Sequence, residues 1–190
     1  MAGLTLLIVS GCVKEDYSKV SKSLVFKPNV SVPIGSRNVT VSKPLGNLTV
    51  DTLIATDTID FAFSDLGANR KYVETLMFRV QTTNSYPAKA LVSVDYYDAN
   101  GIILGSFTKL DPLILSNPSV DSVAGTTGSI TNLKDIFLTS GEIDQLENAK
   151  KIIVTTVMTD MVLSNALLLN WDKFSVAVTV GMQAQLIKEN

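Results

Sequence analysis

One cysteine, no histidine and 18 carboxylates set the chemistry open to this chain of 190 residues. Cys12 carries the only thiol, after the run Leu4-Thr5-Leu6-Leu7-Ile8-Val9 and the small pair Ser10-Gly11. The lack of histidine removes the commonest general base and the commonest neutral metal ligand. A Ser-His-Asp or Cys-His machine is therefore excluded. With one thiol and no imidazole, no zinc, copper or haem site and no cofactor is expected. Asp95, Asp98 and Asn100 offer oxygens of the kind calcium takes, but a calcium loop needs further ligands and a distal Glu in register. Asp98-Ala99-Asn100-Gly101 reads instead as a hairpin turn, because Asn and Gly tolerate positive φ. Glycoside hydrolysis needs two carboxyls facing one cleft, and no pattern here brings two acids together. The chain is not expected to be an enzyme.

Aromatic residues are the remaining candidates for ligand contact. Trp171 follows the apolar run Ala166-Leu167-Leu168-Leu169 and precedes Asp172. It reads first as a plug of the core or its rim at the start of the last strand. The alternative is a ring at a loop tip that stacks on a sugar. Tyr72, Tyr86, Tyr96 and Tyr97 are too few for an evident aromatic platform, and Tyr96 falls on a predicted buried face.

The stretch Val9-Ser10-Gly11-Cys12 after a short apolar run resembles the lipobox of bacterial lipoproteins. The resemblance implies that the Cys12 thiol is alkylated by a diacylglyceryl group, that the chain is cut between Gly11 and Cys12, and that the new amino group is acylated. Small residues at the cut let a signal peptidase approach the backbone. The apolar run is far short of the roughly 20 residues a spanning helix needs, whereas acyl chains at about 0.8 kcal/mol per buried methylene hold a protein firmly. Signal peptides open with Lys or Arg, and Met1-Ala2-Gly3 has neither, so the true start lies upstream or the chain is trimmed. Lys14-Glu15-Asp16, just after the cysteine, resembles the export signal of Bacteroidota surface lipoproteins. That resemblance implies an outer-membrane, lipid-anchored protein displayed at the cell surface. The alternative reading is a solvated tether of mixed charge, and Tyr17 to Ser23 reads as tether in either case. Asp51-Thr52-Leu53, Asp57-Thr58-Ile59 and Asp121-Ser122-Val123 resemble Bacteroidota O-glycosylation triplets, which would make Thr52, Thr58 and Ser122 acceptors. Asn29, Asn38 and Asn47 begin Asn-x-Ser/Thr triplets that carry no expected meaning in a bacterial lipoprotein.

Net charge is −2 and no Lys/Arg run appears, so nucleic acid, which needs a clustered basic surface, is not an expected partner. The expected organisation is a signal peptide over 1–11, a lipidated tether over 12–23 and one domain over 24–190. A domain of that size buries about 70% of the surface of its unfolded chain and needs no disulfide. The whole chain's apolar content of 46%, part of it in residues 1–11, leaves room for a thick core or a partner interface.

The dominant period is two. Phe174, Val176, Val178, Val180, Met182, Ala184 and Leu186 alternate with small or polar residues and predict a long last strand. Residues 76–82 and 90–97 alternate likewise, with Pro87 between them and the Asp98 to Gly101 turn leading onto 102–107. Thr139-Ser140-Gly141-Glu142 is a capping-box pattern. Ile143, Leu146 and Ala149 follow at helical spacing, which predicts about three turns that feed the β-branched strand 152–158. Shorter strands are predicted over 29–33, 37–41, 48–53 and 58–63, and a long loop with one edge strand over 111–132.

Eight to nine strands with one short helix near 140–150 predict an all-β antiparallel sandwich with Greek-key connections, immunoglobulin-like in the broad sense. An eight-stranded outer-membrane barrel is the alternative. The pattern also resembles uncharacterised β-sandwich domains of Bacteroidota lipoproteins. Three functions are carried forward. The first is a non-enzymatic surface lipoprotein that binds or scaffolds protein partners in an envelope assembly. The second is a pilin-like or adhesin-like subunit that uses strand addition, with residues 174–187 as donor or groove neighbour. The third is a polysaccharide-binding accessory lipoprotein. The implied partners are the membrane through the lipid, an envelope protein and a glycan.

Overall fold

A computed structural model describes residues 27–43, 52–67, 69–108 and 112–187. Gly11, Cys12, Lys14, Glu15 and Asp16 lie outside them. Alternation builds the strands as expected. In β3 (Val73–Asn84) Leu76, Phe78 and Val80 point inward, while Met77, Arg79 and Gln81 point outward. In β4 (Lys89–Tyr97) Ala90, Val92, Val94 and Tyr96 are buried. In β10 (Lys151–Thr159) Ile152, Val154 and Met158 are buried, and in β11 (Val176–Leu186) Val176, Val178, Val180, Met182 and Ala184 are buried.

The remaining strands are β1 (Asn29–Val39), β2 (Leu53–Asp60), β5 (Ile103–Ser106), β6 (Leu113–Leu115), β7 (Val120–Asp121), β8 (Thr126–Thr127) and β9 (Ile130–Leu138). Sheet A runs β1-β11-β3-β9, and sheet B runs β2-β10-β4, with β5 and β6 sharing the far edge of β4. All these pairs are antiparallel. Each link in β1–β2–β3–β4 and in β9–β10–β11 passes from one sheet to the other. The all-β sandwich with Greek-key links and a short helix is therefore as predicted, and the strand order is that of a jelly roll and not the immunoglobulin arrangement. The barrel alternative is not realised, because the strands form separate sheets with edges of their own. One hydrophobic cluster fills the space between the sheets. Each fully buried aliphatic there is worth about 1.5–3 kcal/mol.

The helix α1 (Ser140–Leu146) begins with the capping box: Thr139 N donates to Glu142 Oε2 at 2.7 Å, and Glu142 N donates to Thr139 Oγ1 at 3.4 Å. It is shorter than predicted. Beyond Leu146 the chain tightens, with Asn148 N bonded to Gln145 O and Ala149 N to Leu146 O, so Ala149 reaches the core on a turn. A second helix, α2 (Asn165–Leu169), was not predicted; Ser164 caps it by accepting from Leu167 N.

Three strand assignments change. Residues 29–33 and 37–39 belong to one strand, β1, broken only by a bulge between Pro33 and Gly35, and residues 40 and 41 lie beyond its end. Residues 53 and 58–60 of the predicted 48–53 and 58–63 segments fall on one strand, β2, and Phe63 instead starts a short 3-10 turn. The loop predicted over 111–132 holds β6, the β7–β8 hairpin and the start of β9. Strand β9 escapes the alternation rule because it is an edge. Its inward row includes half-buried Asn132 and Lys134, and its outward row includes exposed Leu133 and Phe137.

Candidate functional site

The outer face of sheet A carries the most structured surface feature. Register sets its side chains in rows across four strands. One row is Ser31–Gln183–Met77–Phe137, and the next is Pro33–Gly181–Arg79–Asp135. Because Gly181 has no side chain, the sheet sinks there into a depression of about 250 Å³, walled by Ser31, Pro33, Met77, Arg79 and Gln183. Arg79 grips Asp135 through two bonds, Nε to Oδ1 at 2.6 Å and Nη2 to Oδ2 at 2.7 Å. The pair holds the Asp135 carboxyl below its ordinary range through that hydrogen bond, and raises the Arg79 guanidinium for the same reason. Phe137 stands beside Met77 on the edge strand, 70% exposed. Hydroxyl pairs border the face, Ser36 with Thr179 at 3.0 Å and Thr83 with Thr131 at 2.9 Å.

The residues singled out from the sequence do not gather here. Trp171 is 1% exposed. It packs against Tyr86 and Phe174, at ring separations of 5.2 and 6.2 Å, and its Nε1 donates to Val41 O at 2.9 Å. It is a core plug and is closed to a ligand, which corrects the sugar-stacking alternative. Tyr86 and Tyr96 are buried too. Asp98 spends its carboxylate on the hairpin, where Oδ1 accepts from Asn100 N and Ile102 N at 2.8 Å each. Those backbone donors, Ile102 first, hold its carboxyl below the usual range. Among the described residues no group of three acidic side chains is placed to hold a metal ion. Thr58 is exposed on β2, Thr52 is exposed just before it, and Ser122 is exposed on the β7–β8 turn. They do not share a site with one another.

Phe137 and Gly181 escape sequence reasoning for different reasons. An exposed Phe looks like a core residue until its register is known. A glycine in an alternating strand reads only as a small outward residue.

Sheet B presents a different surface. Ile54, Val157, Leu91 and Ile114 lie in register on four strands and form one outward aliphatic row. Ile54 is 66% and Ile114 51% exposed. The adjoining row is Thr56–Thr155–Ser93, so no charge interrupts the aliphatic band on that side.

The sheet edges are guarded. Arg37 of β1 reaches across the sandwich, donating from Nε to Thr58 O at 3.0 Å and lying 3.7 Å from Asp57. Pro33 and the bulge interrupt the same edge, and half-buried Lys134 sits on the edge strand β9. Such inward charges, prolines and bulges hinder pairing with another chain. The proposed donor, residues 174–187, contains β11, which lies between β1 and β3 and is paired on both sides. It cannot serve as donor strand or groove neighbour while the sheet stands, which corrects that assignment.

No known sequence family matches the chain, and no curated protein does. Among solved structures it is similar to a secreted-protein candidate from Parabacteroides distasonis at 12% identity and a TM-score of 0.49, over 70% of this chain. This chain spans only 38% of the length of that one. It is also similar to the Tobacco streak virus coat protein, at 13% identity and a TM-score of 0.36, over 83% of this chain and 85% of that one. A xylan-binding domain from Paenibacillus barcinonensis overlaps 85% of this chain and 88% of its own at 11% identity and a TM-score of 0.25. These likenesses assign no role. Among the described residues no helix is long and apolar enough to cross a membrane.

Proposed function

We propose that this protein is a non-enzymatic binding module, held to the outer membrane by lipid on Cys12 and displayed at the cell surface. The observation that carries the binding role is the outer face of sheet A, where a glycine-floored depression, an amide, a charge-neutralised Arg–Asp pair and a bare aromatic ring stand in register. The lipobox and Lys14-Glu15-Asp16 support the anchoring and the display. A second reading, a protein partner in the envelope seated on sheet B, is favoured by the aliphatic row from Ile54 to Ile114. An uncharged centre with polar surroundings is the composition of protein contacts.

The anchor is tested by feeding cells an alkyne-tagged palmitate. Wild type is expected to take up the label and to sediment with membranes, and Cys12→Ser to do neither. Retention of label and sedimentation by Cys12→Ser contradicts the proposal.

A further inference from the structure

We infer that the depression over Gly181 on sheet A takes a neutral saccharide chain, with Phe137 as the ring on which a sugar lies. This rests on the binding-module reading and gives that module a ligand class.

Gly181 carries the argument. A glycine inside a strand costs conformational entropy and packs nothing, and it often marks a bulge or a place where a ligand or another backbone approaches closely. Here neither backbone conformation nor packing demands it. Its φ is not among the positive values, which belong to Gly67, Gly101 and Gly125. A Cβ added to it would meet nothing closer than Val32 O at 4.0 Å. Gly105 is the contrast, because a Cβ there would fall on the Tyr96 side chain. Gly105 is explained from inside the protein, whereas Gly181 lies opposite the β1 bulge at Pro33 and Gly35 and leaves open space outside.

The walls define what fills that space. Arg79 and Asp135 satisfy each other, so the face offers little net charge to an anion or a cation. The other polar side chains on its walls are neutral and bear donors and acceptors alike, Ser31 and Gln183, with Gln81 exposed in the row beyond Arg79. A ligand dense in hydroxyls matches such a face. A depression of about 250 Å³ lies below the roughly 300–1,000 Å³ of pockets for drug-sized ligands and suits a single ring. Phe137 supplies an apolar surface for the C–H face of a neighbouring unit. Four strands at about 4.8 Å spacing make the face roughly 14 Å wide, enough for a short run of linked units.

The test uses the full-length chain purified in detergent, run through native gels cast with xylan, amylose or laminarin and, separately, with heparin. Wild type is expected to be retarded by at least one neutral polysaccharide and not by heparin. Phe137→Ala and Gly181→Val are each expected to weaken that retardation about tenfold, the loss of one well-placed contact. Both sites are outward-facing, so the thermal midpoints of both variants should match wild type. No retardation by the neutral polymers, retardation by heparin alone, or retardation unaltered in either variant overturns the inference. If the two variants instead lose a cross-linked protein neighbour, the face is a protein contact and the inference also falls. Absence of binding leaves the anchored-module reading standing, whereas release of reducing ends from a polymer contradicts its non-enzymatic part.

Discussion

At the scale of single residues, the peptide of Val41 shows how the buried aromatic groups are used. Tyr86 Oη accepts from Val41 N at 2.8 Å, and Trp171 Nε1 donates to Val41 O. The two rings therefore hold the segment that leaves β1, and they face each other through a tilted contact. Asn84, itself buried, fixes the neighbouring turn by accepting from Tyr86 N and donating to Ala88 O. Tyr86→Phe keeps the ring and removes the acceptor, and is expected to cost about 1 kcal/mol in urea unfolding at neutral pH. Burial raises the Tyr86 phenol above its ordinary value, a rise opposed by the Val41 N–H and aided by the charge of Asp172. A raised folded-state value means that this group's stabilisation is complete below the unfolded value of about 10 and is lost as pH rises through the folded one. The gap between wild type and Tyr86→Phe should therefore narrow above about pH 10. A gap that stays constant to high pH contradicts this account.

Elements differ in how far they can be read ahead. Strands β3, β4, β10 and β11 are central, so each has one face wholly in the core, and alternation reports them directly. The capping box locates α1 because Thr139 and Glu142 act through local bonds that need no tertiary context. The edges are less legible. Strand β9 turns Leu133 and Phe137 outward and sets Lys134 inward at the rim, so its pattern runs against the rule that finds the others. The bulge in β1 resets the alternation at Pro33 and makes one strand look like two. The candidate face is illegible for the same reason: its residues lie on four strands, from Ser31 to Gln183, and only register brings them together. Sheet B yields its own prediction, argued from the row of Ile54, Val157, Leu91 and Ile114. Ile54→Lys combined with Ile114→Lys places charge at both ends of an outward row, where stability should change by less than about 0.5 kcal/mol per site. If the row seats a protein partner, the double variant loses the cross-linked neighbour that wild type retains in the native envelope. An unchanged cross-linking pattern removes the second reading.

For the whole molecule, the jelly roll places two unlike faces back to back over one core. Sheet A is polar, with a depression and a bare ring, and sheet B is banded by an aliphatic row. The described residues begin at 27, just before edge strand β1. A surface-displayed binding module would need both faces outside the outer membrane. The measurement that bears most directly on this account is protease shaving of intact cells that express the full-length protein, with wild type beside the triple variant Lys14→Ala/Glu15→Ala/Asp16→Ala. The account predicts that wild type is removed by the protease and that the triple variant is protected while remaining lipidated. Protection of both contradicts surface display, leaves the charged triplet as tether alone, and moves the search for a ligand to the periplasmic side of the envelope.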